Sequence, residues 1–294
     1  MSIATTQSTK IGLALGGGGA RGLAHIGVLK VLEGEHIPIN CIAGTSMGGV
    51  VGAFYAAGVT LAEMEREVLR ISRRRELVKL LDVGITQGAA LKGERVYHYI
   101  AGKLGAQLTF ADLSIPLAVV TVDLYSGREV VLTSGRVVDA VRATISVPGV
   151  FVPVEHEPYR LVDGGLLNNV PVDVARQLGA QVVIAVDVLP DFEENQPGQQ
   201  PRVLPLQPPH TPGVYRRLWH IEMIMISALT EYRMREAHPE VILRPDLPVD
   251  MDLFLGFDQA QAAIQAGEQA TQAALPQIRA LLDGESRTDV TLEM

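Results

Sequence analysis

Cysteine is nearly absent: the 294 residues hold one, Cys41. An intramolecular disulfide is therefore excluded, and a reducing compartment fits. Cys41 sits in an apolar run and reads as a small core residue rather than a nucleophile. Aromatic residues are few, at 5%, and there is no basic excess, with a net charge of -8. Nucleic acid is excluded as a general partner, because no cationic surplus is there to neutralise phosphates. No apolar run reaches the roughly 20 residues that span a bilayer. Met1 to Lys10 is polar and lacks the apolar stretch of a signal peptide, so a cytoplasmic protein is expected. The seven histidines and the lone cysteine form no ligand cluster, so neither a metal nor a cofactor is expected.

What is present is apolar and patterned. Apolar residues make up 47% of the chain and charged ones 20%, the balance of a globular protein. Strand-like and helix-like segments alternate, which predicts an α/β fold with a mostly parallel sheet between helices. Strands are expected at 11–15, 41–43, 117–123, 128–133, 159–162, 182–186 and 240–244. Helices are expected at about 20–34, 47–57, 61–72, 93–104, 136–144, 171–178, 214–237 and 258–282. The economical division is one domain over 10–283 between flexible ends at 1–9 and 284–294. Seven prolines between Leu189 and Gly213 predict a long irregular loop, either a surface excursion or a cover over the site.

Three short segments each follow a strand-like run, and they carry the chemistry. Gly44-Thr45-Ser46-Met47-Gly48 is a Gly-x-Ser-x-Gly elbow. Its serine sits on a tight strand-to-helix turn with Oγ exposed, and Gly44 and Gly48 admit close backbone. A helix N-cap is the plainer role for such a serine. Gly16 to Gly19, followed by Ala20, Arg21 and Gly22, supply several backbone N–H groups for a developing oxyanion. Gly17, Gly18, Gly19 and Met47 are the candidate donors. Gly17-x-Gly19-x-x-Gly22 also fits a dinucleotide fingerprint, but the second strand ends without the ribose-binding carboxylate. A P-loop is excluded because no Gly-Lys-Ser/Thr follows. Arg21 either braces the loop or is a solvated residue at a helix start.

The base is expected to be Asp163, at a strand end, where Gly164 and Gly165 free the backbone to aim its carboxylate. Asp123 and Asp187 also end strands but lack the double glycine and read as structural. None of the histidines lies in a motif that would complete a triad. A Ser46–Asp163 dyad is thus the assignment. Two segments bear on lipid contact. Arg70, Arg73, Arg74, Arg75 and Lys79 lie beside Leu69, Leu77 and Leu80, either a basic membrane face or a solvated one. Over 214–237, Leu218, Ile221, Met225, Ala228, Leu229 and Tyr232 form one stripe, and Trp219, Met223, Ile226 and Met234 another. Two apolar faces predict burial on both sides, through core packing, a dimer contact or an acyl-chain groove.

At these residues the chain resembles the patatin-like phospholipases. The family's pattern, Gly-Gly-Gly-x-Arg/Lys-Gly, Gly-x-Ser-x-Gly and Asp-Gly-Gly/Ala in that order, matches at 17–22, 44–48 and 163–165. Leu23 to Glu33 is similar to the family's first helix, and Ser146 to Phe151 to its substrate-side loop. Asp163 to Leu178 and Ala185 to Asp187 are similar to bacterial stand-alone members related to the neuropathy-target-esterase catalytic domain. The resemblance spans about 10–187. It implies a patatin-like three-layer fold and calcium-independent hydrolysis of lipid or fatty-acyl esters by a Ser–Asp dyad. Peripheral membrane contact and a homo-oligomer stay open. Two other readings keep the same fold: an acyltransferase with an alcohol acceptor, and a catalytically silent regulatory protein.

Overall fold

The structure is a computed structural model that describes residues 9–86, 89–190, 213–248, 251 and 256–282. Nearly all of 1–9 and of the proline-rich 189–213, and all of 284–294, lie outside the described residues. The strands are β1 (Ile11–Leu15), β2 (Cys41–Thr45), β3 (Val83–Thr86), β4 (Ala89–Leu91), β5 (Leu117–Asp123), β6 (Arg128–Leu132), β7 (Val154–His156), β8 (Tyr159–Asp163), β9 (Val182–Val186) and β10 (Val241–Leu243). The helices are α1 (Ala24–Gly34), α2 (Met47–Ala56), α3 (Leu61–Ile71), α4 (Arg74–Lys79), α5 (Glu94–Leu104), α6 (Val137–Thr144), α7 (Val172–Gln177), α8 (Gly213–Ala237) and α9 (Ala260–Leu282).

The order β10-β9-β1-β2-β5 is all parallel. Its central strands are buried along their whole length, as continuous apolar runs covered on both faces require. Successive side chains alternate between layers. Leu13, Leu15, Ile42, Val119 and Ile184 face one layer with α1, α2, α6 and α9. Ala14, Ala43, Ala118, Val120 and Ala185 face the other, against α7 and the end of α8. The result is the three-layer α/β fold expected from the sequence.

One register positions the site. Thr45 of β2 pairs with Val120 of β5, and Asp163 of β8 pairs with the next residue, Thr121, antiparallel. Strand β6 pairs with Val119 through Asp123 and thereby occupies the opposite edge of β5. So β2 and β8 meet end to end along one edge of β5, and their C-termini face each other.

Helices α1 and α9 cross closely because glycines face each other. A Cβ on Gly27 would collide with the Ile264 carbonyl, and one on Gly267 with that of Ala24. The sequence missed the hairpin β3–β4, while the helix expected at 61–72 is α3. Arg73 is extended, at ψ 122°, and divides α3 from α4. The expectation for α8 is corrected. Met223 and Met234 are buried, but Leu218, Ile221, Met225 and Tyr232 are more than half exposed. One face turns inward, with Met234 in the core, and the other is exposed.

Candidate active site

The Ser46 backbone holds φ 51° and ψ -123°, a left-handed conformation that a non-glycine residue keeps only where its surroundings enforce it. The enforcement is visible. The Ser46 N–H donates to Thr144 Oγ1 at 2.8 Å, and that hydroxyl donates to the Val120 carbonyl at 2.6 Å. Gly44 and Gly48 admit the turn: a Cβ on Gly44 would stand 2.7 Å from the Gly48 carbonyl carbon, and one on Gly48 would strike the Leu15 carbonyl. Behind the turn, a Cβ at Gly52 would stand 2.9 Å from Ile42, so α2 lies tightly on β2.

The glycine loop wraps over this turn. A Cβ on Gly17 would be 3.0 Å from that of Ser46. Gly19 takes φ 53°, which glycine adopts without steric cost. The Gly17 N–H donates to the Asn169 carbonyl at 3.2 Å, and Asn169 Nδ2 donates to the Gly17 carbonyl at 3.1 Å. Gly17 is therefore engaged, whereas the N–H groups of Gly18, Gly19 and Met47 donate to no acceptor among the described residues. Gly22 packs on Met47, since a Cβ there would lie 2.6 Å from the Met47 side chain. Arg21 is buried; its Nε donates to the Val188 carbonyl at 2.6 Å and a terminal nitrogen to that of Met251 at 3.2 Å. Of its two sequence readings, bracing of the loop is the one the geometry fits.

Asp163 closes the set. Its Oδ1 accepts from the Gly165 N–H at 2.8 Å, and its own N–H donates to the Ser146 carbonyl at 3.0 Å. Gly164 and Gly165 are required by space: a Cβ on the first would strike the Val120 carbonyl, and one on the second would sit 2.9 Å from Asn169 Oδ1. Burial pushes the Asp163 carboxyl up to about 7, against the downward pull of the Ser46 hydroxyl and the Gly165 N–H. Still, Oδ2 is buried with no hydrogen bond of ordinary geometry among the described residues. A buried carboxyl oxygen without a partner is costly in a purely structural role. Asp123, by contrast, accepts from Ser126 and the Arg160 N–H as a turn cap, and Asp187 from the Leu189 N–H.

The family model for patatin-like phospholipases matches residues 13–176. The chain belongs to the patatin-like phospholipase family. An uncharacterised NTE family protein of Mycobacterium tuberculosis is 37% identical over 183 residues, covering 62% of this chain and 50% of that protein. Another from the same species is 34% identical over 283 residues, covering 90% of this chain and 46% of that one. The neuropathy target esterase sws of Drosophila melanogaster is 29% identical over 232 residues, or 73% of this chain and 16% of the fly protein. The chain thus spans half or less of the length of these relatives. Among solved structures, VipD from Legionella pneumophila superposes with a TM-score of 0.57 at 13% identity, over 92% of this chain and 67% of that one; that likeness concerns the fold. Family membership supports lipid ester hydrolysis as the general class of chemistry.

Three contributors to this patatin-like site escaped the sequence reading. Thr144 holds the elbow, and Asn169 ties the aspartate segment to the glycine loop. His25 is fully buried and meets the Gly16 carbonyl through Nε2 at 2.7 Å. Burial lowers its pKa to about 4, so it is neutral near pH 7 and donates that hydrogen bond. Asn169 had one local signal, its place shortly after Asp-Gly-Gly; the other two depend on contacts distant in sequence. The basic segment proved partly neutralised, because Arg70 pairs with Glu67 and Glu76, and Lys79 with Glu76. Among the described residues no group of His, Cys, Asp and Glu could hold a metal, and no helix is long and apolar enough to cross a membrane.

Proposed function

We propose that this protein is a serine lipid acyl hydrolase in which Ser46 is the nucleophile and Asp163 the general base. The observation that carries this reading is the meeting of two strand ends on adjacent residues of β5, the strained Ser46 turn following one and the buried, half-satisfied Asp163 ending the other.

In the proposed reaction Asp163 takes the Ser46 proton as Oγ attacks the ester carbonyl. The oxyanion forms beside the free N–H groups of Gly18, Gly19 and Met47, at a helix start where partial positive charge collects. The leaving alcohol takes the proton back from Asp163. Water, deprotonated by the same carboxylate, then attacks the acyl-serine, and Asp163 returns that proton to Ser46 Oγ as the acid leaves. A carboxyl whose pKa sits near 7 suits both directions of transfer. The proposed steps use side chains and backbone N–H groups alone, so excess chelator should leave turnover unchanged.

Labelling with a fluorophosphonate probe and mass mapping of the labelled peptide tests the assignment. The peptide carrying Ser46 is expected, and Ser46→Ala should abolish labelling and ester turnover while the circular dichroism stays unchanged. Labelling retained at another serine would remove Ser46 from the role. Product analysis with an added acceptor alcohol separates hydrolysis from acyl transfer.

A further inference from the structure

The parallel strands run toward Ser46 and the glycine loop, so the catalytic edge is their C-terminal edge. Two elements project beyond it. The first is the β5–β6 turn: β5 runs three residues past Val120, the partner of Thr45, and ends in the turn carrying Leu124 and Tyr125. Tyr159 starts β8 beside it, two residues beyond the Asp123–Leu161 pair. Leu124 is 51%, Tyr125 69% and Tyr159 39% exposed.

The second is α8. It lies between the parallel strands β9 and β10 and so returns against their direction. Its C-terminal end is anchored low on the sheet, where Arg176 donates to the Ala237 and His238 carbonyls and Met234 enters the core. At about 1.5 Å per residue its 25 residues reach about 37 Å. The 5 residues of β9 reach only about 17 Å at about 3.3 Å each. The N-terminal half of α8 therefore overhangs the catalytic edge. Its exposed stripe there is Leu218, Ile221 and Met225, at 57%, 52% and 67% exposure. Glu222 lies on its flank, close enough to Asp163 for its charge to raise that carboxyl's pKa.

We infer that these two prongs, Leu218–Ile221–Met225 on α8 and Leu124–Tyr125 with Tyr159 at the hairpin tips, seat the catalytic edge on an anionic lipid surface. The inference rests on the proposed lipid hydrolysis. Leucine, isoleucine and methionine suit the acyl region, and tyrosine suits the headgroup level. Arg128 and Arg217 flank the two prongs, both exposed and without an ion pair among the described residues, so lipid phosphates complement them. A second protein seated on both prongs would lie across the edge and shut Ser46 off from substrate. A bilayer seated there delivers the substrate instead.

The test is co-sedimentation of the whole chain with vesicles of phosphatidylcholine and phosphatidylglycerol, beside turnover of a soluble short-chain ester. Leu218→Gln/Ile221→Gln/Met225→Gln and Leu124→Asn/Tyr125→Asn should each bind vesicles at least tenfold more weakly, with soluble-ester turnover within twofold of the parent. A parent chain that does not sediment with vesicles, or variants that bind as it does, would overturn the inference. So would a parent that is a dimer in solution and becomes monomeric in the α8 variant. Vesicle binding without ester turnover would instead count against the hydrolase reading alone. Since Cys41 is 2% exposed, Ile221→Cys can be labelled selectively with an environment-sensitive fluorophore. Its emission should shift to the blue on vesicles; an unmoved spectrum would overturn the inference even if the triple variant failed to fold.

Discussion

On the proposed mechanism, the ionisation of Asp163 sets the pH dependence of the reaction, and its burial sets the midpoint. The carboxyl is raised from 3.8 to about 7. Only the ionised form can take the Ser46 proton, so kcat/KM on a soluble short-chain ester should rise with pH and level off above about 7. One unit below the midpoint about a tenth of the enzyme is active and two units below about a hundredth, a tenfold loss per unit. Removing the like charge of Glu222 by Glu222→Gln should move the midpoint down, because that charge helps to hold the proton on Asp163. Stability must respond in the opposite sense. A carboxyl with a raised folded pKa stabilises the native state fully below the unfolded value, and that contribution is lost as pH rises through the folded one. Three units at about 1.36 kcal/mol each give about 4 kcal/mol. Asp163→Asn should therefore be more stable than the parent at pH 8 by up to about 4 kcal/mol in urea unfolding, while losing activity by about 10²–10⁴-fold. A rate profile flat from pH 5 to 8, or with its midpoint near 4, would refute the reasoning. So would an Asp163→Asn variant less stable than the parent at pH 8.

His25 should tilt stability the other way: with its folded pKa lowered to about 4 by burial, its contribution is present above the unfolded pKa near 6.5 and is lost as pH falls. Between pH 6.5 and 5 this amounts to about 2 kcal/mol. Relative to the parent, His25→Gln should gain about that much across the interval in urea unfolding, whatever its stability at pH 7. Thr144→Val leaves the Ser46 N–H and the Val120 carbonyl without their shared hydroxyl. At about 1–3 kcal/mol for each buried unpaired group, it should lower both the unfolding midpoint and kcat, with Thr144→Ser restoring them. Gly27→Ala pushes α1 away from α9 and should cost about 1–3 kcal/mol, seen as a lower melting temperature; an unchanged one would mean that the helices separate freely.

What could be read from the sequence was what local chemistry decides. The Ser46 elbow, the glycine loop and Asp-Gly-Gly announce themselves because a tight turn restricts which residues can form it. Continuous apolar runs such as Ile11–Leu15 identify strands covered on both faces. Partners distant in the chain were not legible. Nothing near Thr144 or His25 says that one will hold the Ser46 amide and the other the Gly16 carbonyl. Gly27 reads as a weak helix residue until Ile264 arrives beside it. For α8, periodicity found two apolar stripes but could not tell which would turn inward; the fold buried Met223 and Met234 and left Leu218 and Met225 outside.

The clamps on the glycine loop have a consequence for the order in which the chain becomes competent during synthesis. The proposed nucleophile is present once residue 46 is made, and the family match is complete by residue 176. Yet Arg21 is fastened to the carbonyls of Val188 and Met251, and the helix behind the loop is packed against α9, from Ile264 onward. A nascent chain, or one cut after residue 176, owns Ser46 and Asp163 but not the braces that aim the loop's free N–H groups. On the proposed mechanism, competence then arrives last, with the C-terminal helix, and an unfinished or proteolysed chain should be disarmed toward the lipids around it.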